Sequence, residues 1–244
     1  MKSSLRIVHA SDIHLDTDYY GGPRNIESRD FYRGVFRRLL DRIAAHQPDL
    51  MLLPGDLFDS NRASGDTIRW SLEQLGALAF PVLIIPGNHD CLEEDAIFLQ
   101  HDFERAANVE MLLNPDGECR VLSPLGVVVW GRGMIAHRPD FQPLHNQPAP
   151  RPGYWNLAMG HGIYMGNDSN GFRSSPIRAD EIANSGYDYI ALGHHHALLD
   201  VSEPGTGALY SGAPVPISPD GKGTYVVVTL EKGREPTIEI KYLD

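Results

Sequence analysis

The chain has 244 residues, 42% of them hydrophobic, with 21 lysines and arginines against 32 aspartates and glutamates and a formal net charge of −11. That length is enough for one large core. No apolar run approaches the roughly 20 residues that a membrane-spanning helix needs, so no membrane partner is expected. The acidic balance lacks the basic footprint with which duplex-DNA binders neutralise phosphates. Cys91 and Cys119, the only cysteines, are too few for a disulfide framework. With no cleavable signal pattern ahead of Leu5, a reducing, cytoplasmic location is expected.

Residues 5–10 form an apolar run that predicts a buried strand, ending at Asp12-Ile13-His14. Residues 30–46 carry Phe31, Val35, Leu39 and Ile43 at a spacing of four, which predicts an amphipathic helix. On that helix Arg29, Arg33 and Arg37 also fall four apart; a solvated face paired with Glu27, Asp30 and Asp41 is expected rather than a phosphate-binding stripe. Residues 50–53 predict a second strand, stopped by Pro54-Gly55 before Asp56, and residues 64–79 a helix with Ile68, Leu72 and Leu75 inward. Residues 82–85 predict a third strand, again stopped by Pro-Gly, before Asn88-His89-Asp90. This βαβαβ alternation points to a parallel sheet with helical crossovers.

Short strands are predicted at 121–122, 127–130, 156–159, 189–192, 208–210, 224–230 and 238–242. So many strands with so few helices imply a second sheet packed on the first, an α/β two-sheet sandwich flanked by helices. The chemistry-bearing runs extend from Asp12 to His196, so the whole of 1–244 is expected to be one domain. Two long loops, 137–155 with five prolines and the polar 164–176, are expected to shape specificity.

Five short runs carry the chemistry: Asp12-Ile13-His14, Gly55-Asp56, Gly87-Asn88-His89-Asp90, Gly160-His161-Gly162 and Gly193-His194-His195-His196. Nearly every one follows an apolar strand, and the carboxyl edge of an α/β sheet is where sites assemble. Oxygen and imidazole donors without cysteine suit manganese, iron, cobalt or zinc. Two such ions about 3.5–4 Å apart can clamp a phosphoryl group. Asp56 is the natural carboxylate to lie between them. In the triple histidine, His194 and His196 alternate and can share a site, which turns His195 away from it, as a core imidazole or one supporting the ligands from behind.

These runs, in this order, resemble the signature of the calcineurin-like metallophosphoesterase superfamily across essentially the whole chain. The resemblance implies two divalent metal ions, manganese first among the candidates. Asp12, His14, Asp56 and His196 would hold one, and Asp56, Asn88, His161 and His194 the other. It implies His89 as the group that stabilises the transition state and protonates the leaving oxygen, with Asp90 orienting it. Asp12-Ile-His-Leu-Asp16, Gly55-Asp-Leu-Phe-Asp59, Tyr189-Ile-Ala-Leu-Gly-His194 and Tyr210-Ser-Gly212 are similar to the SbcD-like DNA-repair exonucleases, whose DNA-capping domain is not expected here.

The expected activity is therefore metal-dependent phosphoester hydrolysis, foremost of a small phosphodiester, with a hydroxide held between the metals as nucleophile. An SbcD-like nuclease acting on nucleic acid is the alternative, and a non-catalytic binding module on the same fold a further one. Arg62, Arg132 and Arg173 lie in loops from which each could reach a substrate phosphate, although a surface position is the plainer expectation for any one of them. Cys91 has no base-activating pair beside it and reads as structural. Substrate identity and oligomeric state are not encoded in these motifs.

Overall fold

The computed structural model of the chain describes residues 3–17, 26–167, 173–215 and 221–243. Its elements run β1 (Ser4–His9), α1 (Ile26–Ala45), β2 (Leu50–Pro54), α2 (Gly65–Gly76), β3 (Val82–Ile85), α3 (Ile97–Gln100) and β4 (Val109–Met111). There follow β5 (Glu118–Leu122), β6 (Val127–Gly131), β7 (Trp155–His161), β8 (Ile163–Gly166), β9 (Pro176–Arg178) and α4 (Ala179–Ala183). The last strands are β10 (Tyr189–Gly193), β11 (Leu199–Asp200), β12 (Gly207–Tyr210), β13 (Gly223–Glu231) and β14 (Thr237–Leu243).

Two mixed sheets of six strands result, ordered β14-β13-β1-β2-β3-β4 and β11-β12-β10-β7-β6-β5, with β8 and β9 as a separate pair. In the first, β1 to β4 are mutually parallel while β13 runs antiparallel to β1. In the second, β6, β7, β10 and β12 are parallel, and antiparallel β5 and β11 form the edges. The α/β two-sheet architecture expected from the strand count is the one observed.

Successive side chains on a strand point to opposite faces, and here both faces are covered. Leu5, Ile7, Leu50, Leu52, Leu83 and Ile85 meet Val127, Val129, Leu157, Met159, Tyr189 and Ala191 between the sheets. The intervening Val8, Met51, Leu53, Val82 and Ile84 face Phe36, Leu39 and Ile43 of α1 and Ile68 and Leu75 of α2. Both-face burial explains why these strands read as continuous apolar runs.

Several expectations need correction. The buried stripe of α1 is Tyr32, Val35, Phe36, Leu39, Leu40 and Ile43, and Phe31 lies off it with 52% of its surface exposed. Among the described residues the arginines of α1 pair across to α2 rather than along their own helix, and the Glu27 side chain lies outside the described residues. Arg33 reaches Asp66 at 2.9 Å, Arg29 approaches the same carboxylate, and Arg33 and Arg37 lie over the Trp70 ring of α2. Helix α2 starts at the expected place because the Ser64 side chain accepts the Thr67 N–H. Part of the 164–176 loop lies outside the described residues.

Candidate metal centre

The C-terminal ends of β1, β2 and β3 in one sheet meet those of β7 and β10 in the other, where β2 packs against both β7 and β10. The chain leaves three of these strand ends, those of β1, β2 and β10, with left-handed backbone at non-glycine residues: Asp12 (φ 56), His14 (φ 52), Asp56 (φ 54) and His194 (φ 101). Each such residue costs of order 1–3 kcal/mol, and such strain concentrates at functional sites. Close approach also fixes the glycines: a Cβ on Gly87 would sit 2.2 Å from Asp56 Oδ1, and one on Gly55 2.2 Å from His161 Nδ1.

All seven residues expected as ligands converge. His14 Nε2 lies 3.1 Å from His196 Nε2, which is 3.7 Å from Asp12 Oδ1. Asn88 Oδ1 is 2.9 Å from His161 Nε2 and 2.7 Å from His194 Nδ1. Asp56 Oδ2 sits between the two groups, 3.9 Å from His14 Nε2 and 3.4 Å from His161 Nε2.

Partners behind these side chains aim them. His161 Nδ1 donates to the Pro54 carbonyl at 2.8 Å, which turns Nε2 inward. The Asp59 carboxylate faces the other nitrogen of His14, with Oδ1 3.2 Å from Nδ1, a close charge contact behind that ring. The hydroxyl of Ser11 donates to Asp12 Oδ2 and lies 3.0 Å from Ser211 Oγ, and the His194 N–H donates to Asp12 Oδ1 at 3.0 Å.

Asp12 and Asp56 are each 1% exposed, and among the described residues no lysine or arginine ion-pairs with either. Buried carboxylates need a compensating charge. Burial opposes protonation of His161, but the Asp56 carboxylate outweighs it and lifts the imidazole to about 9. Burial would likewise raise Asp56, yet His161, His14 and His89 hold it well below the usual carboxylate range. His194 is pushed down to about 3 by burial and by His161 and His137, which keeps its ring neutral. Two imidazole nitrogens facing each other at 3.1 Å, beside two buried carboxylates, form a donor set that fits divalent cations.

His89 stands at the rim, its side chain 41% exposed and its ring edge-on to His14 at 4.6 Å. Its Nδ1–H donates to the Asp59 carbonyl at 2.8 Å, which leaves Nε2 for a substrate. Asp90 does not orient it, contrary to expectation. Both Asp90 oxygens are taken by backbone, Gly87 N at 2.7 Å and Phe58 N at 3.1 Å, so this carboxyl shapes the turn that carries Asn88 and His89. Burial, then the nearby charge of Asp56, pushes it up to about 6.

Other expectations resolve individually. His195 is exposed rather than in the core, its Nδ1 bonded to the Ala197 carbonyl at 2.8 Å and its ring against Tyr210. Arg132 clamps the Pro115 and Gln142 carbonyls over the Phe141 ring, a structural task. Arg62 is exposed, and exposed Arg173 borders an open cleft of about 1010 Å³ beside His194 and His196. Burial raises the Cys91 thiol to about 11, so it is no thiolate nucleophile. His137 went unmarked in the sequence. Its ring lies 4.9 Å from that of His194 and its Nδ1 3.0 Å from Ser175 Oγ, contacts that no local pattern announces.

Comparison with known proteins bears on this centre. The uncharacterized metallophosphoesterase YhaO of Bacillus subtilis is 26% identical over 225 residues, 87% of this chain and 53% of that protein. The chain thus spans about half the length of that relative. The SbcD component of the Escherichia coli nuclease SbcCD is 26% identical over 282 residues, 96% of this chain and 67% of that protein. A probable cyclic nucleotide phosphodiesterase of Moraxella catarrhalis is 37% identical over 99 residues, 40% of this chain and 32% of that protein. Among solved structures, a dimetal phosphatase from Danio rerio superposes with a TM-score of 0.60 at 12% identity, over 98% of this chain and 95% of that one. TT1561 of Thermus thermophilus gives 0.59 at 11%, over 98% and 99%. These two likenesses show the fold. The family model for calcineurin-like phosphoesterase matches residues 5–198, a span that holds every candidate ligand. The chain belongs to the calcineurin-like phosphoesterase family.

Proposed function

We propose that the chain is one metallophosphoesterase domain that hydrolyses phosphodiesters of small molecules at a pair of divalent ions, manganese by preference. Asp12, His14, Asp56 and His196 would hold one ion, and Asp56, Asn88, His161 and His194 the other. The observation that carries this reading is the position of Asp56 Oδ2 between His14 Nε2 and His161 Nε2, within reach of both donor groups.

Bound there, the ions would neutralise the phosphoryl oxygens and lower the pKa of water. The chain's own residues do the rest. A water oxygen bonds to phosphorus and gives up one proton to solvent, the opposite P–O ester bond breaks, and its electron pair departs with the alkoxide. His89, its Nδ1–H fixed on the Asp59 carbonyl, presents Nε2 to that oxygen and delivers the proton.

The test is a manganese-reconstituted assay across phosphomonoesters, linear and cyclic diesters and DNA, with EDTA controls. Metal-dependent cleavage of diesters ahead of monoesters is expected. Inactivity across the whole panel despite full metal occupancy would instead favour a binding module. The likeness to the SbcD component of nuclease SbcCD along 96% of the chain favours a second reading, a nucleic-acid substrate. Metal-dependent release of nucleotides from DNA in preference to small diesters would establish it.

A further inference from the structure

The cleft of about 1010 Å³ is lined by His194, His195 and His196, and His89 is not among its described lining residues. If His89 protonates the departing oxygen, whatever occupies this cleft is the arm of the substrate that stays on phosphorus. The volume is at the upper end of the roughly 300–1,000 Å³ typical of small-molecule sites, far more than a methyl or a bare phosphate oxygen would fill.

Its lining has a definite chemistry. Tyr164 and Met165 of β8 and Leu199 of β11 supply an aromatic and apolar wall. Among the described residues Arg173 is the only lysine or arginine in it and no carboxylate lines it, in a chain of net charge −11. His195 holds the Ala197 carbonyl through Nδ1, so in the neutral ring Nε2 is an acceptor for a donor in the cleft. A planar body fits the tyrosine and apolar wall, and a second negative charge fits the guanidinium.

Building on the hydrolase reading above, we propose that this cleft selects phosphodiesters whose retained arm is a nucleoside bearing a further phosphate, with Tyr164 and Arg173 as specificity-determining residues. Free dinucleotides and the terminal residue of a nucleic-acid strand share that chemistry.

The experiment uses the full chain loaded with manganese and three diesters with one leaving group, p-nitrophenolate. The retained arm is methyl, thymidine attached through its 5′-oxygen, or that thymidine with a 3′-phosphate. kcat/KM is expected to rise at least tenfold from methyl to thymidine, mostly through KM, and to rise again with the 3′-phosphate. Tyr164→Ala should collapse the first ratio and Arg173→Ala the second. Thymidine 3′,5′-bisphosphate should also bind at least tenfold more tightly than inorganic phosphate in calorimetry, with the excess reduced in each variant. Equal kcat/KM across the series, or ratios untouched by both substitutions, would overturn the proposal. If no ester is cleaved yet the bisphosphate binds as stated, the cleft assignment holds and the hydrolase reading falls. Binding no tighter than phosphate refutes the cleft assignment whatever the activity. Adding a dinucleotide and a short single strand as competitors separates the two natural sources.

Discussion

The backbone N–H of His89 donates to Asp56 Oδ1 at 2.9 Å, so the carboxylate between the two donor groups and the imidazole at the rim are held by one turn. The bond comes from the main chain. Removing the His89 side chain therefore leaves Asp56 in place.

His89→Ala should accordingly keep its full complement of metal while losing activity. Loss of a positioned proton donor typically lowers turnover by about 10²–10⁴. Elemental content and kcat on a diester with a poor leaving group make the check. The drop should shrink for p-nitrophenolate esters, whose leaving oxygen needs little help from an acid. Unchanged turnover on the poor leaving group would remove His89 from the reaction.

Gly87 offers a purely steric test of the same turn. Its backbone is not left-handed, so alanine is permitted there conformationally, yet a Cβ would lie 2.2 Å from Asp56 Oδ1 and 2.6 Å from Asp56 N. Overpacking of this kind costs about 1–3 kcal/mol, and here the displaced group is the Asp56 carboxylate between the two donor groups. Gly87→Ala should lower the melting temperature of the metal-free protein and reduce metal stoichiometry. A variant that binds two equivalents of manganese with wild-type affinity contradicts the placement of Asp56.

Much of this centre was legible because apolar runs end in Pro-Gly or Gly and are followed at once by a donor: Pro54-Gly55-Asp56 and Pro86-Gly87-Asn88 mark a strand end and a site together. Strands β1, β2 and β3 were readable for the same reason, being buried on both faces. What stayed hidden acts through tertiary contact. Asp59 aims His14 from the far end of its loop, the Pro54 carbonyl aims His161, and His137 reaches His194 from the proline-rich segment. The family resemblance implies that Asp90 orients His89, whereas its oxygens turn back onto Gly87 and Phe58. Strands β4, β8, β9 and β11, of 3, 4, 3 and 2 residues, are too short for alternation to show.

Asp59 gives the third prediction. It lies behind His14, 3.2 Å from Nδ1, while Nε2 faces Asp56 and His196. Partners of this kind typically contribute about 10–100-fold in metal affinity. Asp59→Ala should weaken manganese binding by that order while circular dichroism stays native. Asp59→Asn, which keeps an oxygen acceptor, should recover part of the loss. Identical affinities for wild type and Asp59→Ala would show that His14 needs no such support.

His9 gives a pH prediction away from the metals. The ring is fully buried between the sheets, with Nδ1 2.9 Å from the Tyr189 hydroxyl and Nε2 3.1 Å from the Leu192 carbonyl. In the neutral ring Nε2–H donates to the carbonyl and Nδ1 accepts from the tyrosine, so both nitrogens are satisfied. Burial lowers its pKa from 6.5 to about 3, which the bond to Leu192 only partly opposes. Below pH 6.5 the unfolded chain takes up a proton that the folded chain refuses until near pH 3. Stability from this residue is therefore complete above 6.5 and declines as pH falls through that window, by about 2 kcal/mol between pH 7 and pH 5. Urea unfolding in EDTA at the two pH values, on wild type and His9→Gln, isolates the contribution, since every other titrating group is common to both. The glutamine variant should be less stable at pH 7, and the gap should narrow by about that amount at pH 5. An equal gap at both would mean that His9 titrates alike in the folded and unfolded chains.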